Sequence, residues 1–358
     1  MHIDMTDRSE RGARDWDFGG ILRIHADQDY PYLQMKWQSW KAGPANHDLQ
    51  IAKGEASKNW VLLEANRAIC DRTYQIRSQD AIYEVGADRI ICQGSVNENF
   101  LEHEVVIPVI NRMAAKKGHY LAYASAVSHK GKIIIFPGIS GSGKTSVILE
   151  FLMRGASYIG NNHTFIDRKG TCTLYSPMIG FKERNAAMFP ELVAGLSTDE
   201  KERRMQEKRL SFHQLGTSIN ARNFVTRYIR DQFVSRFYFL QEASYDRLFP
   251  RCEVPVSGPV AHAFLLERGM AEPRVIEAAS EDLTKLATTS DWVYSGNGGN
   301  CHNALAEAVG LDFCTKADYQ SVFADFFAHA RCHRVRIPPQ ATRETIRKTV
   351  DEIERIVG

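Results

Sequence analysis

The chain has 358 residues, of which 44% are hydrophobic and 25% are charged, and its formal net charge is +2. This composition predicts a globular protein of two domains. The near-neutral charge argues against a general nucleic-acid binder, which carries a basic excess, and no apolar run approaches the ~18 residues that a membrane-spanning helix needs. The charged N-terminus lacks an apolar segment and predicts no secretory signal. Seven cysteines, an odd number, suit a reducing compartment, so we expect a cytoplasmic protein.

Short β runs dominate the first part of the chain, after a polar segment of about 18 residues that we expect to be frayed. Turn clusters such as Lys41–His47 separate these runs. We therefore predict a β-rich N-terminal domain over residues 1–97. A helix should follow at Phe100–Lys117, because apolar residues recur there every four positions and Gly118 is a typical stop. The predicted strands are Ile21–Ile24, Tyr32–Trp37, Trp60–Glu64, Thr73–Ile76 and Arg89–Cys92.

From Tyr120 onward, strand-like and helix-like segments alternate, which predicts an α/β domain over residues 98–358 with a largely parallel sheet. The charge run 199–210 is typical of a solvated helix or loop. Near the end, a strand is predicted at Arg334–Ile337 and a helix from about Thr342. The helix should pack on the core through Ile346, Val350, Ile353 and Val357, which share one face.

The most informative motif is an eight-residue phosphate-binding loop. It matches G-x-x-x-x-G-K-[ST] at every fixed position. In such a loop, glycines allow tight turns that point backbone N–H groups at an anion, and the following helix adds the partial positive charge of its N-terminus. The lysine supplies a charge for the β- and γ-phosphates, and the Thr145 hydroxyl is a ligand for Mg²⁺. The predicted nucleotide-binding residues are Gly138, Ser140, Gly141, Ser142, Gly143, Lys144, Thr145 and Ser146.

The surrounding sequence supports this interpretation. Ile133–Phe136 is a continuous apolar run, as expected for a strand buried on both faces. Behind the loop, Val147/Phe151 and Ile148/Leu152 have helical spacing, and Gly155 is placed to end the helix. Strand, loop and helix therefore follow in the order that a phosphate site requires.

Residues 119–168 resemble the kinase domain of the HPr kinase/phosphorylase family. The similarity is carried by Tyr123-Ala-Ser-Ala-Val127, the loop, and Leu152-Met-Arg-Gly-Ala156, with a weaker echo at 329–357. The resemblance implies a P-loop kinase fold of the type also found in phosphoenolpyruvate carboxykinases. It further implies transfer of a phosphoryl group from ATP or GTP, with Mg²⁺, to a hydroxyl of a small molecule or a protein, and a tendency to form homo-oligomers.

The sequence departs from the family where the family carries its acidic residues. There, two adjacent acidic residues or Asn-Asp end the next strand and act as general base and metal ligand. Here Asn161 and Asn162 occupy those positions, and an amide neither accepts a proton usefully nor neutralises Mg²⁺. Tyr123 replaces a histidine that is common in the family's "HASAV" strand.

Three replacements for the missing acid are open. His163 is a candidate base, because an unperturbed histidine titrates near pH 6.5. Asp167 could approach the metal, although Asp167–Gly170 also has the composition of a hairpin turn. A third source is a carboxylate of the preceding helix, Glu102 or Glu104.

Weaker signals lie later in the chain. One of Arg222, Arg227, Arg230 and Arg236 could bind an anionic substrate, and Ser295–Asn300 is flexible enough for a substrate loop. In both cases a plain structural role is the commoner one. Cys301, His302, Cys314, His329, Cys332 and His333 lack the paired spacing of zinc ligands, so we predict no metal site there.

The sequence thus predicts a kinase whose loop binds the nucleotide and whose Asn161–His163 strand end faces a small-molecule or peptide acceptor. No nucleic acid or membrane partner is expected. Two alternatives stay open: a nucleotide-binding regulator that has lost catalysis, favoured by the Asn161-Asn162 pair, and a nucleoside-triphosphate hydrolase that moves a partner.

Overall fold

The computed structural model is mixed α/β. It describes residues 14–43, 46–58, 60–64, 66–139, 141–194, 240–250, 257–269, 272–294, 299–311 and 315–358. The strands are β1 (Asp15–Asp17), β2 (Arg23–Ala26), β3 (Leu49–Lys53), β4 (Val61–Glu64), β5 (Arg67–Cys70), β6 (Thr73–Arg77), β7 (Ala81–Val85), β8 (Arg89–Gly94), β9 (His119–Ala122), β10 (Ala124–His129), β11 (Lys132–Pro137), β12 (Ser157–Gly160), β13 (Thr164–Asp167), β14 (Thr171–Leu174), β15 (Met178–Lys182), β16 (Leu240–Ser244), β17 (Ser257–Arg268), β18 (Arg274–Glu277) and β19 (Arg331–Ile337).

Helices are distributed along the whole described chain. A 3₁₀ turn at Gln38–Trp40 and a π-helix at Leu101–Val106 accompany them. The α-helices are α1 (Pro31–Lys36), α2 (Glu98–Phe100), α3 (Ile107–Lys116), α4 (Lys144–Met153), α5 (Glu183–Met188), α6 (Pro190–Ala194), α7 (Tyr245–Leu248), α8 (Ser280–Tyr294), α9 (Gly299–Ala308), α10 (Lys316–Ala328) and α11 (Arg343–Val357). None of the described helices combines the length and the apolar character that crossing a lipid bilayer requires.

The chain divides into two compact units. Unit 1 comprises Met1–Tyr123, His163–Ser176 and Ala279–Arg331, and unit 2 comprises Ala124–Asn162, Pro177–Ala278 and Cys332–Gly358. The division does not coincide with the boundary that we predicted at residue 97, because the segment after it is shared between the units. The predicted β-rich segment lies within unit 1.

Unit 1 contains an eight-stranded sheet in the order β1-β2-β3-β8-β7-β6-β5-β4. Strands β4 to β8 form an antiparallel meander, whereas β3 pairs in parallel with β2 and β8. Four of the predicted strands, those at Ile21, Trp60, Thr73 and Arg89, are confirmed within two residues at each end. The frayed N-terminal segment was predicted too long, because β1 already begins at Asp15.

The predicted strand Tyr32–Trp37 is wrong, because this segment is helix α1. Pro31 occupies the first turn, where its missing N–H costs nothing. The amides of Tyr32 and Leu33 donate to the Glu98 carboxylate at 2.8 and 3.2 Å. A residue far along the chain therefore caps this helix, and no local pattern announces it.

The predicted helix at Phe100–Lys117 is confirmed in its extent, although its first turns are π-helical. Leu101, Val105 and Val109 are buried, and Gly118 ends the segment with a φ of 76°. The same unit holds the antiparallel strands β9, β13 and β14, with Tyr120 of β9 packed on Tyr319 of α10 at a ring distance of 4.6 Å.

The sheet of unit 2 is mixed, so the expectation of a largely parallel sheet is wrong. Strand β10 pairs antiparallel with β11 and β12, β18 pairs antiparallel with β19, and β11 pairs in parallel with β17. The prediction failed because apolar runs show burial on both faces but not strand direction.

The last helix of unit 2 is confirmed as predicted. Helix α11 begins after Thr342 and buries Ile346, Val350, Ile353 and Val357. It packs beside α4, to which Asp351 and Glu354 are joined by ion pairs with Arg154, at 2.7 and 2.9 Å. The terminal segment therefore holds the helix that begins at the phosphate-binding motif.

Candidate phosphate-binding site

The predicted loop connects β11 to α4 in unit 2, and its glycines have backbone angles that other residues adopt only with strain. Gly138, Gly141 and Gly143 have φ values of 143°, 78° and 109°. At Gly138 a Cβ atom would also lie 2.9 Å from the carbonyl oxygen of Leu266. Glycine is therefore required here both for its conformation and for the close approach of β17.

Helix α4 begins at this loop without a side-chain cap. Its N-cap is Gly143, and no side chain accepts a hydrogen bond there. The first N–H groups of a helix have no partner within the helix, and the dipole places partial positive charge at the same end. Ser142 adds a buried hydroxyl without a hydrogen-bond partner among the described residues. This arrangement can bind an anion.

Lys144 is almost completely buried, with 4% of its surface exposed. Its Nζ donates hydrogen bonds to the carbonyl oxygens of Gly138 and Ile139 at 2.6 and 3.0 Å. The ammonium group thus lies over the loop of its own chain. A phosphate bound in the loop would offer this cation a charged acceptor in place of neutral carbonyls, and charge-assisted hydrogen bonds are the stronger kind.

A hydrogen bond brings together Thr145, the predicted Mg²⁺ ligand, and Asn161. The Thr145 and Ser125 hydroxyls each donate to Asn161 Oδ1 at 3.1 Å, and Asn161 Nδ2 is buried without a hydrogen-bond partner among the described residues. Both hydroxyls can also accept, so the same geometry permits the reversed amide, with the oxygen unpartnered. Hydroxyl and amide oxygens are ligands that suit Mg²⁺, so Thr145 and Asn161 would hold it.

Asn162 ends the strand in a left-handed conformation, with a φ of 69°. Asparagine tolerates this region better than most residues. Its N–H donates to Ser125 Oγ at 3.3 Å. The strand end is therefore fixed through Ser125, which contacts both asparagines.

A carboxylate that sequence reasoning missed lies close to Gly180, which the Asn162 side chain also approaches. Glu242 on β16 is the cross-strand partner of Gly180 on β15. A Cβ atom on Gly180 would lie 3.7 Å from Asn162 Nδ2 and 3.9 Å from Glu242 Oε1. Together with burial, which is the larger cause, the charge of Glu242 raises the pKa of Tyr158. No motif marks Glu242 in the sequence, because only the pairing of β15 with β16 brings it to the strand end.

Two arginines that were not predicted lie next to the loop. Arg268 donates to the carbonyl oxygens of Gly141 at 2.8 Å and Pro338 at 2.6 Å, and Arg184 donates to that of Ala341 at 3.1 Å. Burial, and secondarily the positive charge of Arg184, lowers the pKa of Arg268 to about 10. Within the described part of the chain, neither guanidinium forms a salt bridge. The loop is thus bordered by two cations held on backbone carbonyls.

The predicted residue Ser146 has a packing contact. Its Oγ accepts a hydrogen bond from Asn185 Nδ2 at 2.9 Å, and the Asn185 side chain in turn accepts from the Lys182 amide. This contact attaches α5 to the first turn of α4. The predicted loop residue Ser140 lies outside the described residues.

His163 belongs to unit 1, since the division between the units falls between Asn162 and His163. Its ring centroid lies 5.5 Å from that of Tyr123, 6.0 Å from Tyr175 and 6.2 Å from His103. Within its unit, His163 is therefore part of an aromatic cluster.

Asp167 serves as a turn residue, as the alternative interpretation expected. Its Oδ1 accepts from the amides of Lys169 at 2.9 Å and Thr171 at 2.8 Å in the β13–β14 hairpin. It lies at the opposite end of β13 from His163. The structure does not bring these two predicted residues together.

The other two carboxylates that were considered lie on the π-helix of unit 1. Glu102 is fully buried and accepts a hydrogen bond from the Tyr175 hydroxyl at 3.1 Å, with Lys36 Nζ at 3.8 Å. Glu104 is exposed. Glu102 is thus a structural partner within its own unit.

Several predictions fall outside the described residues and stay predictions. They concern the charge run 199–210, the arginines 222, 227, 230 and 236, Cys314 and the first four residues of the 295–300 segment. The side chains of Cys301 and His302 are likewise not described. Cys332 is buried, and the His333 ring lies 4.6 Å from that of Phe264.

No protein-family model matches the chain, and no curated protein matches it.

Proposed function

We propose that this protein is a nucleotide-dependent kinase that binds the phosphates of ATP or GTP in the loop Gly138–Thr145 and transfers the γ-phosphoryl group to a hydroxyl. The observation that carries the proposal is the buried Lys144 ammonium, which lies on the loop carbonyls at an uncapped helix N-terminus. A buried cation beside a helix N-terminus without a side-chain cap favours a polyanionic ligand. The acceptor is a small molecule or a peptide, and cytoplasmic location is part of the same proposal.

In the proposed reaction, the acceptor oxygen forms a bond to the γ-phosphorus. The bond between that phosphorus and the β–γ bridging oxygen breaks, and the nucleoside diphosphate leaves with the electron pair. Lys144 and the first N–H groups of α4 neutralise the charge on the phosphates. Thr145 and Asn161 would hold Mg²⁺, which when bound neutralises the β- and γ-oxygens.

The acceptor proton must also be removed, and we assign this role to Glu242. The amides Asn161 and Asn162 cannot serve as a base. The Glu242 carboxylate and the Asn162 side chain both lie close to Gly180, and Asn162 follows the strand end that we expect to face the acceptor. His163 is the competing candidate, and the two make different predictions.

The first experiment follows label from γ-labelled ATP and GTP into candidate acceptors and into inorganic phosphate, with binding measured in parallel by calorimetry. Transfer supports the kinase, and phosphate release alone indicates a hydrolase. Binding without either reaction supports the regulator. Absence of triphosphate binding at any concentration tested overturns the proposal.

We expect Glu242→Gln to reduce transfer by about 10²-fold or more while triphosphate affinity stays within about twofold, because general-base help has this typical size. Glu352→Gln, which removes a carboxylate from α11 of the same unit, is the matched control.

If His163→Ala reduces transfer by about 10²-fold and Glu242→Gln leaves the transfer rate unchanged, the histidine is the base. The assignment of Glu242 then fails, although the kinase proposal stands.

One observation supports a second function, that of a nucleotide-binding regulator without catalytic activity. The Asn161 amide is held between the Thr145 and Ser125 hydroxyls where the resembled family has an acid. Such a site can bind a nucleotide without a carboxylate on that strand. Its signature is tight nucleotide binding with no transfer that Asn162→Asp restores.

A further inference from the structure

Unit 2 contains a cleft that the proposed chemistry does not use. Its volume is about 690 Å³, within the range of small-molecule sites. One wall comes from α5 and the start of α6, and the other from the segment after β19. The residues that line it include Arg184, Ala187, Met188, Gln340 and Thr342.

Two separate links attach this cleft to the phosphate-binding loop. Arg268 bridges the Gly141 carbonyl of the loop and the Pro338 carbonyl at the start of the second wall. On the first wall, Asn185, the neighbour of Arg184 on α5, donates to Ser146 in the first turn of α4. Both walls of the cleft are therefore anchored to the loop or to the helix that follows it.

The nucleoside of a bound triphosphate would lie on one particular side of the loop. In loops of this motif, the backbone amides hold the α- and β-phosphates, and the lysine reaches the β- and γ-phosphates. The nucleoside therefore leaves from the side of the amides and the helix start. Ser146, one position after the motif, marks that side, and Asn185 joins it to the first wall of the cleft.

The lining of the cleft suits a nucleoside. Ala187, Met188 and Pro339 offer apolar surface for the face of a base, and Gln340 carries both a donor and an acceptor for its edge. Arg184 adds a planar guanidinium that can stack on an aromatic ring.

A second cation in the cleft has its charge compensated. Arg343 forms an ion pair with Glu191 at 2.5 Å and lies over the ring of Phe189. The charge that remains for a ligand is therefore that of Arg184, which suits a single nucleoside better than a second polyanion.

We propose that this cleft holds the nucleoside half of the triphosphate whose phosphates bind in the Gly138–Thr145 loop; the inference rests on the proposed nucleotide binding. Arg184 and Met188 contact the base, and Gln340 with Thr342 contact its edge or the ribose hydroxyls. The cleft thereby distinguishes a nucleotide from a bare polyphosphate.

The test compares ATP, GTP and inorganic tripolyphosphate, all with Mg²⁺, by calorimetry on the full chain. Ala187→Trp fills the cleft from an exposed helix position. We expect the affinity for the preferred nucleotide to drop by about tenfold or more, which corresponds to ~1.4 kcal/mol, and that for tripolyphosphate to change by less than about twofold. Met153→Trp, which adds a tryptophan at an exposed position of α4, is the control and should change neither.

Gln340→Ala provides a second variant at an exposed loop position, in case the tryptophan disturbs folding as judged by thermal unfolding. It should weaken nucleotide binding about threefold or more and leave tripolyphosphate binding unchanged.

The inference is overturned if either variant weakens both ligands equally, if nucleotide affinity is unchanged, or if the wild type binds tripolyphosphate as tightly as ATP and GTP. In the last case the phosphate site survives without a nucleoside site. If the proposed function itself is wrong, the result differs, because the wild type would then bind neither ATP, GTP nor tripolyphosphate.

Discussion

Two helices of unit 2 begin in opposite ways, although they pack side by side. Helix α11 begins after Thr342, whose hydroxyl accepts a hydrogen bond from the Thr345 amide at 3.3 Å. The Thr345 hydroxyl in turn accepts one from the Thr342 amide. Helix α4 begins after Gly143, which has no side chain that could accept a hydrogen bond from the first amides of the helix. One helix satisfies its own first amides, and the other leaves them without a side-chain partner.

If the proposal is correct, the difference separates a structural helix end from one that binds an anion. A side-chain cap stabilises a helix by ~1 kcal/mol, and α4 lacks this contribution. Instead its first turn carries a buried lysine and follows glycines with positive φ. The folding free energy that α4 lacks is what an anion supplies on binding, because a ligand that binds only the folded state stabilises it.

Lys144→Ala should have the largest effect, because it tests directly whether the start of α4 binds phosphate. Removing a charged donor from phosphates should weaken triphosphate binding by about tenfold or more, because such hydrogen bonds contribute roughly 1.5–3 kcal/mol each. The fold should persist, since Lys144 Nζ donates to the Gly138 and Ile139 carbonyls, which lie within six residues of it in the chain. Calorimetry and thermal unfolding measure the two effects.

Lys348→Ala is the matched control, because Lys348 is exposed on α11 and pairs with Glu344. It should leave triphosphate affinity unchanged. Equal affinity of the wild type and Lys144→Ala would remove the phosphate-binding assignment and, with it, the contrast between the two helix ends.

Arg268→Gln should have a smaller effect on triphosphate affinity, because it changes the support of the loop and not the lysine. Arg268 holds the loop through Gly141 and the segment before α11 through Pro338, so its loss should loosen the loop without removing Lys144. We expect a decrease in triphosphate affinity of about three- to tenfold, measured by the same titration. An unchanged affinity would mean that Arg268 only ties the two segments together. The ion-paired Arg334→Gln serves as control.

Thr342→Ala should have the smallest effect on phosphate binding, measured with tripolyphosphate, and a measurable effect on stability. Loss of the cap should reduce the free energy of unfolding by ~1 kcal/mol, measured by denaturant titration. Tripolyphosphate binding should not change, because the Thr342 cap belongs to α11. A large loss of tripolyphosphate affinity would show that the two helix ends do not act independently.

The fold was predictable where burial follows a local period. Helix α11 was placed correctly because its four buried apolar residues recur along one face and Thr342 precedes them. Helix α1 was mistaken for a strand because its first amides are capped by Glu98, which no local pattern reveals. Strand directions in unit 2 were predicted wrongly, since an apolar run such as that of β11 carries no information on the direction of its partners.

The candidate site divides in the same way. The loop from Gly138 to Thr145 could be recognised from eight consecutive residues, because positive φ angles and a helix N-terminus are properties of neighbouring residues. The hydrogen bond of Thr145 to Asn161 crosses only from one helix to the next strand. Both were therefore within reach of sequence reasoning.

Glu242, Arg268 and the cleft beside Arg184 were decided by tertiary structure alone. Strand pairing places Glu242 opposite Gly180, and the parallel pairing of β17 with β11 brings Arg268 to the loop. Such pairings depend on which distant segments bury their apolar faces together. The sequence between the paired strands does not indicate which strands pair or in which register. The glycine-rich loop and the uncapped helix start could be read from the sequence, because they depend on the backbone geometry of neighbouring residues. Only the packing of distant strands and helices decided which carboxylate, cations and cleft surround it.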